Sequence, residues 1–211
     1  MTRTKANFLL LFAAFIWGTT FVAQQKSLAD VGPLAFTGIR FILGTLIVLP
    51  LALREIKQSS TPFGTFNWWG CVGLGVLLFL GANSQQIGLK TTTVTNAAFI
   101  TALYVPAVPL LGWLLLKHRS HWMVIPASLG CVIGTILLSG GSINEWHTGD
   151  TWVAAGVLCW SAHVVYLGLI VNKTHRPMTM AVTQFFTCGL ISLGFAVFYS
   201  LDVISRQLLL F

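Results

Sequence analysis

The residues best suited to chemistry in this chain are polar side chains set inside long apolar stretches. Arg40 is the one lysine or arginine placed inside such a stretch, and His163 is the one histidine so placed. Arg40 could attract an anionic group such as a carboxylate, and His163 could carry a proton because histidine titrates near neutral pH. Each also has a structural interpretation. The Arg40 side chain could extend toward the membrane surface, or it could bond Gln85, Gln86 or backbone carbonyls. His163 could be a packing residue that is hydrogen-bonded within the bundle.

Amide, hydroxyl and aromatic side chains accompany these two residues. Polar groups are costly in lipid, so they normally face the interior of a helix bundle or a water-filled cavity. We therefore predict a cavity for a small solute. The candidates for its lining are Trp17, Thr20, Arg40, Asn83, Gln86, Asn96, Thr101, Tyr104, Trp160 and His163. Bulky packing is an equal alternative for the two tryptophans.

The segment TNAAFITALYVPAVPLLGWLLL (95–116) is polar at its start, contains two prolines and ends in leucines. An interior proline deletes a backbone donor and crowds the carbonyl one turn back, yet membrane helices tolerate it. Pro106 and Pro109 are therefore hinge candidates, and a static kink that helps packing is the alternative. Helical spacing places one small, partly polar face on the cavity side, formed by Ala97, Thr101, Tyr104 and Val108.

Composition indicates where these residues sit. The chain has 211 residues, of which 55% are hydrophobic and 8% charged, and its mean hydropathy is +0.82. Soluble domains are about 25% charged. These values predict an all-α membrane protein, a polytopic bundle of about seven transmembrane helices each near the roughly 20 residues that a bilayer requires. The predicted spans are 7–25, 33–53, 69–89, 95–116, 123–141, 151–171 and 179–199.

Basic residues predict the orientation of these spans. With the N-terminus in the cytoplasm, the inner segments carry eight lysines and arginines and the outer segments three, as the positive-inside rule requires. The eight are Arg3, Lys5, Arg54, Lys57, Lys117, Arg119, Lys173 and Arg176, and the three are Lys26, Lys90 and Arg206. We predict a multi-pass protein of the cell (inner) membrane with the end of this chain outside. The net charge of +7 then reflects orientation, and no nucleic-acid partner is expected.

The first and sixth spans resemble each other. AFIWGTTFV (14–22) aligns with VLCWSAHVV (157–165), which matches Trp17 to Trp160. Further along, after a one-residue gap, GIRFILGTLI (38–47) faces TQFFTCGLIS (183–192), with Arg40 against Gln184 and Phe41 against Phe185. The copies are five spans apart, an odd number, so they would cross the membrane in opposite senses. Inverted repeats of this kind are the architecture of many secondary transporters.

These same segments resemble the EamA type of the drug/metabolite transporter superfamily. The likeness rests on the Trp-Gly of AFIWGTTFV, the Arg-Phe of GIRFILG and the whole of TNAAFITALYVPAVPLLGWLLL. The resemblance implies a complete five-helix repeat over 6–141 and an incomplete second repeat over 150–211, with three helices of the family's ten-helix fold missing. It also implies a cavity lined by spans one, three, four and six. One departure is Lys117-His118, where the family commonly has Gly-Glu.

The leading interpretation is therefore a permease, a secondary transporter that exports or exchanges a small amino-acid-like or drug-like metabolite by alternating access. Its partners would be the bilayer and the solute, with protons as a coupling ion and a homodimer as further expectations. A non-functional truncated fragment of such a transporter is the first alternative, and a seven-helix receptor or sensor the second. We expect no enzyme, since Gly-x-Ser-x-Gly is absent and no acidic residue within a span could orient His163. No cofactor or metal is expected either.

Overall fold

A computed structural model describes residues 2–28, 30–59, 66–117, 122–138, 146–174 and 176–208 of the chain. Within those ranges every regular element is an α-helix. In chain order the helices are α1 (Arg3–Ser27), α2 (Pro33–Gln58), α3 (Trp68–Gly88), α4 (Val94–Ala102), α5 (Tyr104–Leu116), α6 (Val124–Leu138), α7 (Thr148–Thr174) and α8 (Pro177–Leu208).

Six apolar helical segments in the described part of the chain are long enough to cross a membrane. Five of them are the single helices α1, α2, α3, α7 and α8, and the sixth consists of α4 and α5 taken together. The fifth predicted span, 123–141, corresponds to α6, which is shorter at 15 residues, and residues 139–141 lie outside the described ranges. The prediction of an all-α, polytopic membrane protein is confirmed, with six full-length spans found against about seven predicted.

Short polar residues begin several of these helices. The Asn67 side chain accepts a hydrogen bond from the backbone N–H of Gly70 at 3.0 Å, which caps α3. Thr93 caps α4 in the same way by accepting from the N–H of Asn96 at 3.1 Å. Such caps satisfy backbone donors that the first helical turn leaves free.

The proline-containing fourth span breaks into two helices at Leu103, three residues before Pro106. The ring of a proline crowds the carbonyl four positions earlier, here that of Ala102, so a disturbance ahead of Pro106 is the expected result. At the junction the N–H of Leu103 bonds the carbonyl of Ile100 at 3.1 Å, a tight turn. Pro109, in contrast, lies inside α5 without ending it.

The centre of the bundle is α3. It packs along α7 and α8. α2 runs antiparallel along α8, since Gly38 lies against Leu193 while Glu55 bonds Met178. One buried cluster joins α3, α7 and α8 through Cys71, Leu74, Ile170 and Met180. A second cluster, formed by Phe21, Leu89, Ala97 and Val153, is the place where α1 meets the rest.

Glycines allow α3 and α7 to approach closely. A Cβ atom added to Gly149 would lie 2.3 Å from the carbonyl oxygen of Gly88, and one added to Gly156 would lie 3.2 Å from that of Gly81. No larger residue fits at Gly149 without separating the two backbones. We call the four residues Gly81, Gly88, Gly149 and Gly156 the glycine seam.

The α2–α8 pair brings together residues that the sequence repeat aligns. The rings of Phe41 and Phe185 lie 5.5 Å apart between centroids. A Cβ added to Gly38 would meet the Leu193 side chain at 2.6 Å. If the two segments are copies related by an axis, that axis would pass near this contact; the repeat itself stays a prediction.

Candidate functional site

Three polar residues of α3, Asn83, Gln85 and Gln86, are buried in the interior of the bundle. Asn83 donates from Nδ2 to the Ser192 hydroxyl on α8 at 2.9 Å. Gln85 donates from Nε2 to the Thr101 hydroxyl on α4 at 2.7 Å. The first bond joins α3 to α8 and the second joins it to α4, so this part of α3 connects three elements through amide chemistry.

Gln86 is fully buried, and neither its Nε2 nor its Oε1 has a hydrogen-bond partner among the described residues. Buried amides are normally satisfied, because a buried polar group without a partner costs roughly 1–3 kcal/mol. Further buried polar atoms without partners in the described ranges are Gln24 Oε1, Thr37 Oγ1, Asn83 Oδ1 and Trp160 Nε1. The interior therefore offers donors and acceptors that water or a solute would satisfy.

His163 and Trp160 belong to one polar group between α7 and α8. The Nε2–H of His163 donates to Oε1 of Gln184 at 2.8 Å, and both residues are buried. The Trp160 and His163 rings meet edge to face at 6.0 Å between centroids. The Trp160 indole also lies against the backbone of α3, because a Cβ at Gly81 would be 3.3 Å from its Nε1.

Arg40 does not bond to Gln85 or Gln86 in the structure. Its guanidinium lies over the rings of Phe36 and Phe41, 5.7 and 4.9 Å from their centroids. Cations are attracted to aromatic faces in this geometry. The Cys188 thiol of α8 lies beside it, and no carboxylate in the described ranges forms a salt bridge with it.

Trp17, Thr20 and Tyr104 form a separate group where α1 meets the fourth span. The Trp17 and Tyr104 rings are 6.0 Å apart, and Trp17 is 40% exposed. The Thr20 hydroxyl donates to the carbonyl of Trp17 at 2.6 Å, and Gln24 donates to that hydroxyl at 3.2 Å. Trp17 is exposed and Thr20 and Tyr104 are half-buried, whereas His163 in the group around Trp160 is buried.

Asn96 takes part in a cluster on the predicted outer side, where α7 begins. The Asp150 carboxylate is 1% exposed and accepts hydrogen bonds from the Thr92 hydroxyl, from the backbone N–H of His147 at 2.8 Å and from Nδ2 of Asn96 at 3.5 Å. We call Thr92, Asn96, His147 and Asp150 the outer latch, because it joins the start of α4 to the start of α7. Asp150 and Thr92 were not predicted as functional residues.

A second carboxylate, that of Glu55 near the end of α2, lies at the opposite end of the bundle, against the start of α8. It accepts from the backbone N–H groups of Met178 at 3.1 Å and Thr179 at 2.8 Å, and from the Thr179 hydroxyl at 2.8 Å. A negative charge at a helix N-terminus is favourable because free N–H groups and the helix dipole meet there. Asp150 occupies a comparable place in the first turn of α7. An acidic residue in the first turn of a helix is the sequence signal that could have identified Asp150, whereas no sequence signal joins Glu55 to the start of α8, 123 residues later.

The structure thus divides the predicted residues among several places. Asn83, Gln86, Thr101, Trp160 and His163 lie within the bundle around α3. Trp17, Thr20 and Tyr104 lie where α1 meets the fourth span, Asn96 lies in the outer latch, and Arg40 lies at the α2–α8 pair. Pro106 and Pro109 line a different, apolar groove between α5 and α6.

The interior therefore suits recognition by neutral hydrogen bonds and aromatic faces. The described residues include no group of three histidine, cysteine, aspartate or glutamate side chains placed to hold a metal ion. Cys71, Cys159 and Cys188 are free thiols inside helices.

An all-helical bundle with membrane-length spans and a buried polar interior defines a polytopic membrane protein. The EamA-like transporter family matches residues 4–140, about two thirds of the chain, and the chain belongs to that family.

Curated relatives have transport-related names. The chain is 30% identical over 197 residues to an uncharacterized transporter of Archaeoglobus fulgidus, covering 93% of this chain and 59% of the relative. It is 23% identical to a probable amino-acid metabolite efflux pump of Escherichia coli, with coverages of 84% and 58%. It is 28% identical to an S-adenosylmethionine/S-adenosylhomocysteine transporter of Chlamydia trachomatis, with coverages of 67% and 44%. The chain thus spans about six-tenths or less of the length of these relatives, and no solved structure matches it.

Proposed function

We propose that this protein acts in the transport of a small organic metabolite, amino-acid-like or drug-like, across the cell membrane by alternating access. The family and the names of the relatives favour a permease over a receptor or an enzyme. The solute would bind within the bundle around α3, and it would be exposed to one side of the membrane at a time.

The observation that carries this proposal is the buried, unpartnered amide of Gln86. An amide offers both a donor and an acceptor, and a site that hydrogen-bonds its ligand discriminates strongly against molecules that lack the matching groups. Asn83 and Trp160 add an acceptor and a donor that also have no partner in the described ranges. The proposed solute therefore carries several neutral hydrogen-bonding groups.

An inverted repeat would supply the two states that alternating access requires. The sequence aligns 14–22 with 157–165, and Phe41 with Phe185. The contact between Phe41 and Phe185 and the antiparallel course of α2 and α8 support a two-fold relation between the copies. In this proposal the outer latch and the Glu55 contact are the closures of opposite sides.

Arg40 and His163 have narrower roles in the proposal. Arg40, which has no salt bridge in the described ranges, attracts a solute carboxylate. His163 carries a coupling proton, with Gln184 as its hydrogen-bond partner. Pro106 and the break at Leu103 supply a hinge between the outer and inner halves of the fourth span.

A flux assay tests the proposal. The protein would be reconstituted in liposomes and offered a panel of radiolabelled amino acids, amino-acid amides that lack the carboxylate, and drug-like solutes. We expect Gln86→Leu to lower flux at least tenfold, because the leucine removes both hydrogen-bonding groups. Gln58→Leu, the same substitution at an exposed glutamine at the end of α2, is the matched control and should transport normally.

The variants also separate the narrower roles. Loss of flux in Arg40→Ala for acidic or zwitterionic solutes alone would support the carboxylate role, while unchanged flux would remove it. Flux of His163→Gln that no longer responds to a proton gradient would support coupling. Absence of flux for the whole panel, with the wild-type protein correctly inserted, would contradict the proposed function.

A further inference from the structure

An apolar groove of about 700 Å³ lies between α5 and α6. Leu110 and Trp113 line it from α5, and Ile125, Ser128 and Leu129 line it from α6. The four apolar side chains among these are each more than half exposed. The groove therefore opens away from the described part of the bundle, and it is separate from the polar interior around α3.

The size of the groove restricts what can occupy it. Its volume lies within the range of about 300–1,000 Å³ that is usual for small-molecule sites. A transmembrane helix, about 10 Å wide and 30 Å long, needs several times that space. The lining is almost wholly apolar, with Ser128 as the polar exception among the residues named. These properties fit one flexible hydrocarbon chain.

A basic residue and two tryptophans lie at one end of the groove. Lys117 follows α5 directly, in a left-handed conformation with φ of 53° that ends the helix. Trp113 lies one turn before Lys117, and Trp122 lies just ahead of α6; both line the groove. Tryptophan is enriched at the level of lipid headgroups, and basic residues there attract anionic lipids. The sequence places Arg119 in the same connection.

We propose that this groove binds one acyl chain of an anionic phospholipid, whose headgroup phosphate lies at Lys117. The acyl chain occupies the space between Leu110 and Leu129, and Trp113 and Trp122 flank the position where chain and headgroup join. The site does not depend on the proposed transport function, because it lies outside the solute interior.

Native mass spectrometry of the full chain released from detergent tests the site. The protein would be incubated with equal amounts of phosphatidylglycerol and phosphatidylcholine that carry the same acyl chains. We expect one retained phosphatidylglycerol in preference to phosphatidylcholine, and Lys117→Gln to reduce that preference about fivefold, the contribution of one basic residue near an anionic surface. Ser128→Trp should fill the groove and remove retention of both lipids.

Leu115→Trp is the matched control, because Leu115 is similarly exposed on α5 but does not line the groove. It should retain lipid as the wild type does. Equal retention of the two lipids would overturn the headgroup assignment, and retention that Ser128→Trp leaves unchanged would overturn the groove. A dimer in the wild type that Ser128→Trp abolishes would show that a second copy occupies the groove, which also overturns the proposal.

Circular dichroism and gel filtration check that Ser128→Trp folds. If it does not, Leu129→Phe is the milder enlargement, and the same loss of lipid is expected in part. Lys117→Gln lies beyond the helix, so the measured lipid preference tests the proposal even where neither enlarged variant is stable.

Discussion

α1 and α7 are aligned by the sequence repeat, but the structure surrounds them differently. Each is a membrane-length helix with a tryptophan in its middle, Trp17 and Trp160. α7 packs along α3 and also touches α4, α5 and α8, whereas α1 contacts mainly α4 near its own C-terminal end. Two helices with the same local character thus differ in burial because only one of them has a close partner.

The partner of α7 is α3, and the glycine seam explains their closeness. Gly149 and Gly156 on α7 face the carbonyl oxygens of Gly88 and Gly81 on α3. Gly18 on α1, in contrast, has no atom within 4 Å of the place where its Cβ would lie. Close backbone approach allows dense van der Waals packing, which is the main stabilising contact between helices in lipid. The comparison predicts that equal changes in α1 and α7 have unequal effects.

The largest expected effect comes from breaking the glycine seam. Gly149→Leu should lower the free energy of unfolding by more than about 3 kcal/mol, because the new side chain meets a backbone carbonyl that cannot move aside. Gly18→Leu is the control in α1 and should change it by about 0.5 kcal/mol or less. Unfolding of both variants in mixed detergent micelles measures the difference, and equal losses would contradict the comparison.

A second change should release α1. Phe21 is 6% exposed and packs with Leu89, Ala97 and Val153. Phe21→Ala should cost about 3 kcal/mol, at the lower end of values for a buried phenylalanine. Faster hydrogen exchange confined to α1 would be the signature, whereas Phe15→Ala, at an exposed site on the same helix, should leave exchange unchanged. Faster exchange throughout the bundle would show that α1 is not a separate unit.

The outer latch should contribute somewhat less. Asp150→Ala removes a carboxylate that accepts from Thr92, Asn96 and the N–H of His147, and we expect a loss of about 2 kcal/mol. Asp30→Ala, at an exposed residue after α1, should be close to neutral. Unfolding in mixed detergent micelles measures the change in the free energy of unfolding for both variants. A neutral result for Asp150→Ala would mean that water replaces the carboxylate without cost.

The smallest expected effect has the opposite sign. Gly18→Ala should raise stability by about 0.5–1 kcal/mol, because alanine is the better helix former and its methyl group enters open space. The same change at Gly156, 3.2 Å from the carbonyl of Gly81, should be neutral or unfavourable. A gain at Gly156 equal to that at Gly18 would show that the seam is loose at its inner end.

The membrane-spanning helices could be predicted from the sequence because the lipid bilayer imposes a simple rule on composition. Every apolar run of about 20 residues must satisfy its own backbone, and a helix is the solution. The same reasoning placed Gln86, Trp160 and His163 in the interior. The break at Leu103 followed from Pro106, although the sequence suggested a kink at the proline itself.

Other features depend on contacts between elements far apart in the chain and could not be predicted. The sequence does not show that the Asp150 carboxylate meets Thr92, 58 residues away, or that the Gly88 and Gly149 backbones touch. Arg40 had three possible roles on sequence grounds. Its guanidinium lies over Phe36 and Phe41 of its own helix, and only its position beside Cys188 depends on how α2 packs against α8. The observed site differs from the predicted one mainly because the sequence does not show which distant helices pack together.

The Glu55 contact has a consequence for biosynthesis. Glu55 bonds the backbone of Thr179, which the ribosome adds 124 residues later. At typical rates of synthesis the interval is roughly 6–25 s. During it α2 resides in the membrane without the helix it pairs with, and its charged Glu55 and Arg40 have no mate in α8. Proteins that shield newly synthesised helices during membrane insertion therefore have the longest time to act on α2.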